Sequence, residues 1–316
     1  MKRLLIALLV ALTPLVSWSQ VVPPPLPPAE QQPGEPDPWK DYPGREVDRP
    51  ILPAANGYLM GVMTRSFTAG DGLNSNGERE RLPEPISVFN LDLSVRYGIL
   101  DRWEIFGGLP YATAQNEDFS TGSIGNSYLG ARVGIFATEA FQIAAGLQVS
   151  LPTGDSEYHY RMDGTKIEME NFRTGNPGLD VLPEIELRYR ASSNLSLRLR
   201  SWAIITGSGE TVLNHIGSKD TEKDVNPGDG LRLQISAVYQ PAERWVIPVM
   251  LEYYHLGESK VSGFDLDDEQ ELLETRAGLM YQVSHTFEVS VMSGIPLAGR
   301  NVYLATPLWL EMRTRF

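Results

Sequence analysis

The stretch DVLPEIELRYRASSNLSLRLRSWAII, residues 180–205, decides the fold. On each side of the polar turn Ser192–Asn194, apolar and charged side chains alternate with a period of two. That period belongs to β-strands, so we predict two strands that each carry one apolar and one ionic face. An ionic strand face lies either in bulk water, on a soluble sheet, or inside a membrane barrel. The rest of the chain decides between these two structures.

The first nineteen residues have the organisation of a secretory signal peptide. Lys2 and Arg3 precede an apolar run from Leu4 to Val16, and small residues follow. We therefore predict a signal peptide over residues 1–19, in preference to a buried amino-terminal helix. After it, no apolar segment is long enough to span a bilayer as a helix.

Residues 20–55 are rich in proline, beginning with the run VVPPPLPP at 21–28. Proline supplies no ladder donor and favours an extended polyproline path. We expect a disordered Pro-rich tail on the periplasmic side, and the alternative is a ligand for a partner domain.

Composition excludes several classes of function. The 316 residues contain no cysteine, so disulfides, thiolate metal sites and a lipid anchor on cysteine are excluded. The net charge of −13 argues against a nucleic-acid partner, because there is no basic surface to neutralise phosphates.

From residue 56 to residue 316 the alternation of the opening hairpin recurs about twelve times. The connections alternate between turns of about four residues and long polar loops, such as the loops predicted at Thr68–Pro85 and Pro152–Pro177. Outer-membrane barrels have an even number of strands, short periplasmic turns and longer external loops. We therefore predict an all-β fold, a transmembrane antiparallel up-and-down β-barrel of about 12 strands over residues 56–316.

Aromatic residues recur at the short-turn end of the predicted apolar face. They are Tyr58, Tyr97, Trp103, Phe141, Tyr189, Tyr239, Trp245, Tyr281 and Phe287. Aromatic rings concentrate at the lipid headgroup level, so this row predicts a girdle at one membrane interface. The chain ends at Phe316 on the same face, a carboxy-terminal pattern that predicts recognition by the barrel-assembly machinery. Lipid and lipopolysaccharide of the cell outer membrane are the expected surroundings.

Two short stretches resemble a family of outer-membrane transporters named for the meta-pathway of phenol degradation. RYGILDRWE at 96–104 followed by GLPY at 108–111, and LPTGD at 151–155, match hairpin and strand-end motifs of that family. Asn126 in GNSYLG at 125–130 departs from the family, which often has aspartate there. The resemblance implies a barrel and a transport role, and it carries over no substrate and no catalytic residue.

Enzymatic and metal chemistry have little support. The four histidines show no metal-ligand spacing, and no cofactor is expected. Ser75 lies in a Ser-Asn-Gly stretch like that of an outer-membrane phospholipase, but Leu73 stands where the base is needed, so we expect no catalysis. The acidic run from Asp265 to Glu271 is expected to be a solvated loop, with a divalent cation or a cation bridge to lipopolysaccharide as the alternative.

The predicted inward face holds the candidate functional residues, because a charge on the lipid face would cost about 2–4 kcal/mol at mid-bilayer. The selectivity candidates are Arg96, Arg132, Glu184, Glu186, Arg188, Arg190, Arg198, Arg200, Arg232, Glu252, Arg276 and Arg313. The four arginines of the 180–205 hairpin favour anions, and Glu184 and Glu186 weaken that preference.

Two functions fit this lumen. The charges line a channel for passive passage of small-molecule solutes, or they pair and close a structural or adhesion barrel that presents acidic external loops.

Overall fold

Twelve long antiparallel strands close into a barrel in the computed structural model, in which each strand pairs with its neighbours in sequence and the last pairs with the first. The strands are β1 Tyr58–Leu73, β2 Arg79–Leu100, β3 Trp103–Gln115, β4 Tyr128–Ala137, β5 Phe141–Ser150, β6 Asp180–Ser192, β7 Leu195–Ile204, β8 Gly230–Ala242, β9 Trp245–Leu256, β10 Gln270–Gln282, β11 Phe287–Arg300 and β12 Leu308–Arg315. The predicted fold class is confirmed.

The structure describes residues 45–116, 120–155, 158–163, 166–169, 175–215, 221–261, 263–265 and 268–315. The predicted signal peptide, the tail up to residue 44, and Phe316 lie outside these ranges. Within them, no helix has the length and hydropathy needed to cross a bilayer.

The two faces of the strands differ as the period of two predicts. Apolar side chains on the outer face are exposed, for example Leu129 at 53% and Ile235 at 50%. Charged side chains on the inner face are buried, for example Glu104 at 0% and Glu288 at 1%. A water-soluble protein would bury the first set and expose the second. The inverted arrangement is that of a barrel whose outer surface contacts lipid.

Girdle residues of adjacent strands lie at the same height. Tyr58 and Tyr97 are register partners whose ring centroids are 4.5 Å apart, and Trp245 and Tyr281 are register partners 4.7 Å apart. The short turns lie beside this row, so the row marks the inner, periplasmic end of the barrel.

The outer connections contain more β-structure than the sequence indicated. The predicted loop Thr68–Pro85 is largely an extension of β1 and β2, which close at a turn over 74–78. Gly77 has φ +76° in this turn, a conformation that glycine adopts without strain. Six short strands from three other connections form a separate sheet, and their bounds are Tyr158–Asp163, Lys166–Met169, Gly209–His215, Thr221–Asn226, Lys260–Val261 and Phe264–Asp265. Two further short strands add to the barrel wall: Ser120–Ile124 pairs with β3, and Val302–Leu304 pairs with β1.

Residues 45–55, which we call the inner segment, pack inside the barrel at its periplasmic end. The segment contains one 3-10 turn, Glu46–Asp48, and Val47 is completely buried with Val238, Val246 and Met280 of β8, β9 and β10. Ile51 and Leu52 pack with Ala144 of β5. A segment that contacts strands on all sides of a closed ring lies within that ring.

The boundary predicted at residue 55 therefore differs from the structure. Residues 45–55 were expected to belong to a disordered tail, but they belong to the barrel interior. Their partners are inward polar groups and small apolar side chains of distant strands, which the local proline content does not reveal.

Candidate functional site

The inward charged residues form three ion-pair networks. The first network follows the wall from β2 to β7. Arg96 pairs with Glu104 at 2.8 Å, Glu104 with Arg132 at 3.1 Å, and Glu184 with both Arg132 and Arg200, the latter at 2.7 Å. Glu186 lies 3.9 Å from Arg132 and 3.8 Å from Arg200. Alternating charges on neighbouring strands thus compensate one another around half of the wall.

The second network lies on β8, β9 and β10. Glu252 accepts from Arg232 at 2.9 Å and from Arg276 at 3.0 Å, and Arg276 also pairs with Glu274 at 2.8 Å. Here each carboxylate and each guanidinium is supplied by the wall.

Two buried tryptophans give the arginines flat supports. The Arg200 guanidinium carbon lies 4.2 Å from the ring centroid of Trp202, and Arg232 contacts the same ring at 5.1 Å. Arg276 lies 4.4 Å from the ring of Trp309. Stacking leaves the hydrogen-bonding edges of a guanidinium free to meet carboxylates or solutes.

The third network joins the wall to the inner segment at the periplasmic end. Glu46 lies 3.3 Å from Arg198 of β7 and 3.5 Å from Arg315 of β12. Arg49 pairs with Glu46 and with Glu288 of β11.

Other contacts complete this network. Asp48 pairs with Arg190 at 2.8 Å, and Arg188 donates to the carbonyl oxygen of Val47. Arg313 pairs with Glu288 at 2.9 Å and with Glu311 at 3.3 Å.

The Glu46 carboxylate is ionised in these surroundings. Burial alone raises its pKa, but the nearby guanidiniums of Arg49, Arg313, Arg198 and Arg315 outweigh burial and hold the pKa well below the ordinary value. A carboxylate held by several arginines is typical of a strong anion site.

The structure divides the predicted selectivity residues among these networks. Arg96, Arg132, Glu184, Glu186 and Arg200 lie in the first network, and Arg232, Glu252 and Arg276 lie in the second. Arg188, Arg190, Arg198 and Arg313 lie at the periplasmic end. Of the four arginines on the 180–205 hairpin, Arg200 contacts Glu184 and Glu186. The other three, Arg188, Arg190 and Arg198, contact the inner segment. Arg190 also pairs with Glu139.

Sequence reasoning missed the participants that come from the inner segment. Glu46, Asp48 and Arg49 were assigned to the tail, and nothing in their spacing predicts burial. The inward position of Trp202 and Trp309 could have been predicted, because the period of two places each of them on the charged face of its strand.

The RYG motif at 96–98 anchors the far end of the inner segment. Arg96 donates to the carbonyl oxygen of Ile51 at 2.8 Å, and the Tyr97 hydroxyl donates to Asn56 Oδ1 at 3.1 Å. Gly98 accepts from the Asn56 amide at 2.7 Å. The motif that indicated a transporter family therefore has a definite structural role.

The LPTGD motif has its role at the outer end. Thr153 Oγ1 accepts from the Ser127 amide at 2.8 Å and donates to the Gly125 carbonyl at 2.9 Å. Asn126 accepts from the Gly154 amide at 3.0 Å and donates to the Asn176 carbonyl at 3.3 Å. An aspartate at position 126 could make only the first of these two bonds.

The acidic run at the outer rim is largely occupied by protein partners. Asp265 pairs with Lys260 at 2.5 Å, and Asp268 accepts from the Ser259 amide at 2.7 Å. Glu271 pairs with Arg300 at 2.9 Å. The carboxylates of Glu269 and Glu271 each lie 3.7 Å from His255 Nδ1. Asp267 lies outside the described residues. Arg300 already neutralises the Glu271 carboxylate, which a bound cation would need as a ligand.

No family model and no curated protein matches the sequence. Solved structures do resemble the fold. The barrel is similar to the COG4313 outer membrane channel from Pseudomonas putida F1, with a TM-score of 0.68 and 16% identity over 84% of this chain and 97% of that one. The NanC porin gives a TM-score of 0.46 and 8% identity over 81% and 98%. The CymD monoaromatic hydrocarbon channel gives 0.43 and 10% over 83% and 89%.

The closed ring of strands, the apolar outer surface and the aromatic girdle place this protein in a membrane, and the likeness in fold is to outer-membrane channels. The fold is thus a twelve-stranded β-barrel of the bacterial outer-membrane type, with a charged interior and an inner segment across its periplasmic end.

Proposed function

We propose that the barrel is an outer-membrane channel that lets small solutes pass passively through a charged lumen. The observation that supports this most directly is the inner segment. The ring is wide enough to hold a stretch of polypeptide between opposite walls, so movement of that stretch would leave a water-filled path. In an eight-stranded barrel the wall side chains alone would fill the interior.

Selectivity in this proposal belongs to the wall charges. A passing solute would meet Arg188, Arg198 and Arg313 at the periplasmic end. Elsewhere in the lumen it would meet the first and second networks, whose arginines stack on Trp202 and Trp309. Because guanidiniums outnumber free carboxylates at the periplasmic end, we propose that anions pass more readily than cations. Membership of the phenol meta-pathway transporter family belongs to the same proposal, supported by the RYG and LPTGD contacts.

The test is single-channel conductance of the refolded full chain in a planar bilayer. The reversal potential in a salt gradient reports the preference between anions and cations. Arg200→Glu should shift that preference toward cations, whereas Arg79→Glu, which changes an exposed pair with Asp71, should leave it unchanged. Equal shifts for both variants would contradict selectivity by the lumen.

A second function is favoured by one observation. The inner segment crosses the lumen, and the wall charges already pair with one another, as expected of a closed structural or adhesion barrel that presents acidic external loops. Folded protein that never conducts, at any voltage, would support this function and exclude the channel.

Two partners belong to the proposal as well. We propose that β12 together with the following Phe316 is recognised by the barrel-assembly machinery, and that lipopolysaccharide surrounds the outer rim. Phe316→Ala should slow assembly in cells without changing the folded state, which the yield of heat-modifiable barrel in outer membranes would show.

A further inference from the structure

Two arginines face each other directly at the periplasmic end. Arg188 of β6 and Arg198 of β7 are register partners on the inward face. Like charges in opposed positions repel, and such a pair persists when an anionic or carbonyl group lies between the two. Among the described residues, no wall carboxylate lies within ion-pair distance of either side chain.

The inner segment supplies the missing acceptors. Arg198 contacts one oxygen of the Glu46 carboxylate at 3.3 Å, and Arg188 donates to the carbonyl oxygen of Val47. The second oxygen of Glu46 lies 3.5 Å from Arg315 on another side of the ring. One carboxylate is therefore held between guanidiniums from separate strands.

The site has unused capacity. The Nε atom of Arg198 is buried and has no hydrogen-bond acceptor. A carboxylate bound side-on to Arg198 would occupy both Nε and Nη2, the bidentate geometry that guanidinium prefers. Glu46 contacts only the Nη2 atom of Arg198, because the Glu46 backbone is fixed in the 3-10 turn that also positions Val47.

We propose that Arg188, Arg198 and Arg315 form a binding site for the carboxylate of a small organic anion, and that Glu46 occupies this site as an internal competitor. An arriving anion makes the bidentate contact that Glu46 does not make, and it releases the inner segment from the wall. The inference rests on the proposed channel function, because it names the chemical class of the solute and the event that opens the path.

Acetate is the simplest carboxylate with which to test this. The full chain is refolded, its single-channel open fraction is measured at increasing sodium acetate, and glycerol serves as the neutral control. Binding is measured separately from the line broadening of 13C-labelled acetate by the protein in detergent. The variants are Glu46→Gln and Arg198→Lys, which keeps the positive charge but loses the two-pronged guanidinium. Asp71→Asn is the control, because it makes the same kind of change in an exposed pair with Arg79, away from the inner segment.

Acetate should raise the open fraction of the unmodified protein, and glycerol should not. Glu46→Gln should bind acetate about tenfold more tightly and open without acetate, since one charge-assisted contact changes an equilibrium by about that factor. Asp71→Asn should behave like the unmodified protein, and Arg198→Lys should lose most of the acetate response.

Contrary outcomes separate the two proposals. Conductance that does not respond to acetate, or equal acetate binding by Glu46→Gln and Asp71→Asn, would overturn the anion site and leave the channel intact. Tight acetate binding by Glu46→Gln without conductance from any variant would overturn the channel and keep the anion site. Absence of both conductance and binding would overturn both.

Discussion

The carbonyl oxygen of Ala54 lies so close to Gly98 of β2 that a Cβ built at position 98 would stand 1.9 Å from it. The wall and the inner segment therefore touch backbone to backbone at this point. A glycine is required because any side chain would occupy the space of the peptide group.

Gly98→Ala is expected to push the inner segment away from β2 while the barrel still forms. Trypsin should then cut after Arg45 faster than in the unmodified protein, and the open fraction in a bilayer should rise. Gly70→Ala is the matched control, because nothing lies within 4 Å of an added Cβ there. Unchanged cleavage in Gly98→Ala would contradict the docking of the segment on β2.

Opening should depend on pH through Glu46. The lowered pKa means that the docked segment gains from the ionised carboxylate above the ordinary value of about 4.3, and that this gain is lost as the pH falls toward the docked pKa. The open fraction should therefore stay constant from neutral pH to about pH 5 and rise below about pH 4.

Asp48 and Glu288 are further carboxylates that face this network. Glu46→Gln isolates the contribution of Glu46, since this variant should open at neutral pH and its open fraction should rise less in acid. Conductance measured across the pH range for both proteins is the comparison, and an equal rise in the two would exclude Glu46 as the group responsible.

Arg132→Gln should destabilise the folded barrel by about 3–5 kcal/mol, because it leaves the buried carboxylates of Glu104 and Glu184 without their shared cation. The midpoint of urea unfolding in lipid vesicles measures the loss. Arg79→Gln breaks an ion pair on an exposed hairpin and should leave that midpoint unchanged. A large effect of Arg79→Gln together with a small effect of Arg132→Gln would be inconsistent with these networks.

Ile235→Arg places a charge on the lipid face of β8 and should cost about 2–4 kcal/mol at this depth. Gln234→Leu, one residue earlier, alters the lumen face and should leave assembly largely intact. Heat-modifiable mobility of the protein from outer membranes measures the folded fraction. Similar yields of the two variants would mean that the two faces had been assigned wrongly.

The sequence by itself determined the barrel. A period of two reports which side of a strand each residue occupies, and it does so without any knowledge of neighbouring strands. The number of strands, the inward position of Glu184 and Arg200, and the outward girdle from Tyr58 to Phe287 all follow from that local rule. These are the features that the structure reproduces.

Only the tertiary structure decided what fills the periplasmic end and which charges pair. Parity places Arg188, Arg198 and Arg200 on one face, but register and height decide that Arg200 meets Glu184 while Arg198 meets Glu46. Arg315 and Glu46 are 269 positions apart in the chain. A contact of that kind arises from closure of the ring, which brings the last strand beside the first and encloses the segment before it, and no local pattern of residues records such a closure.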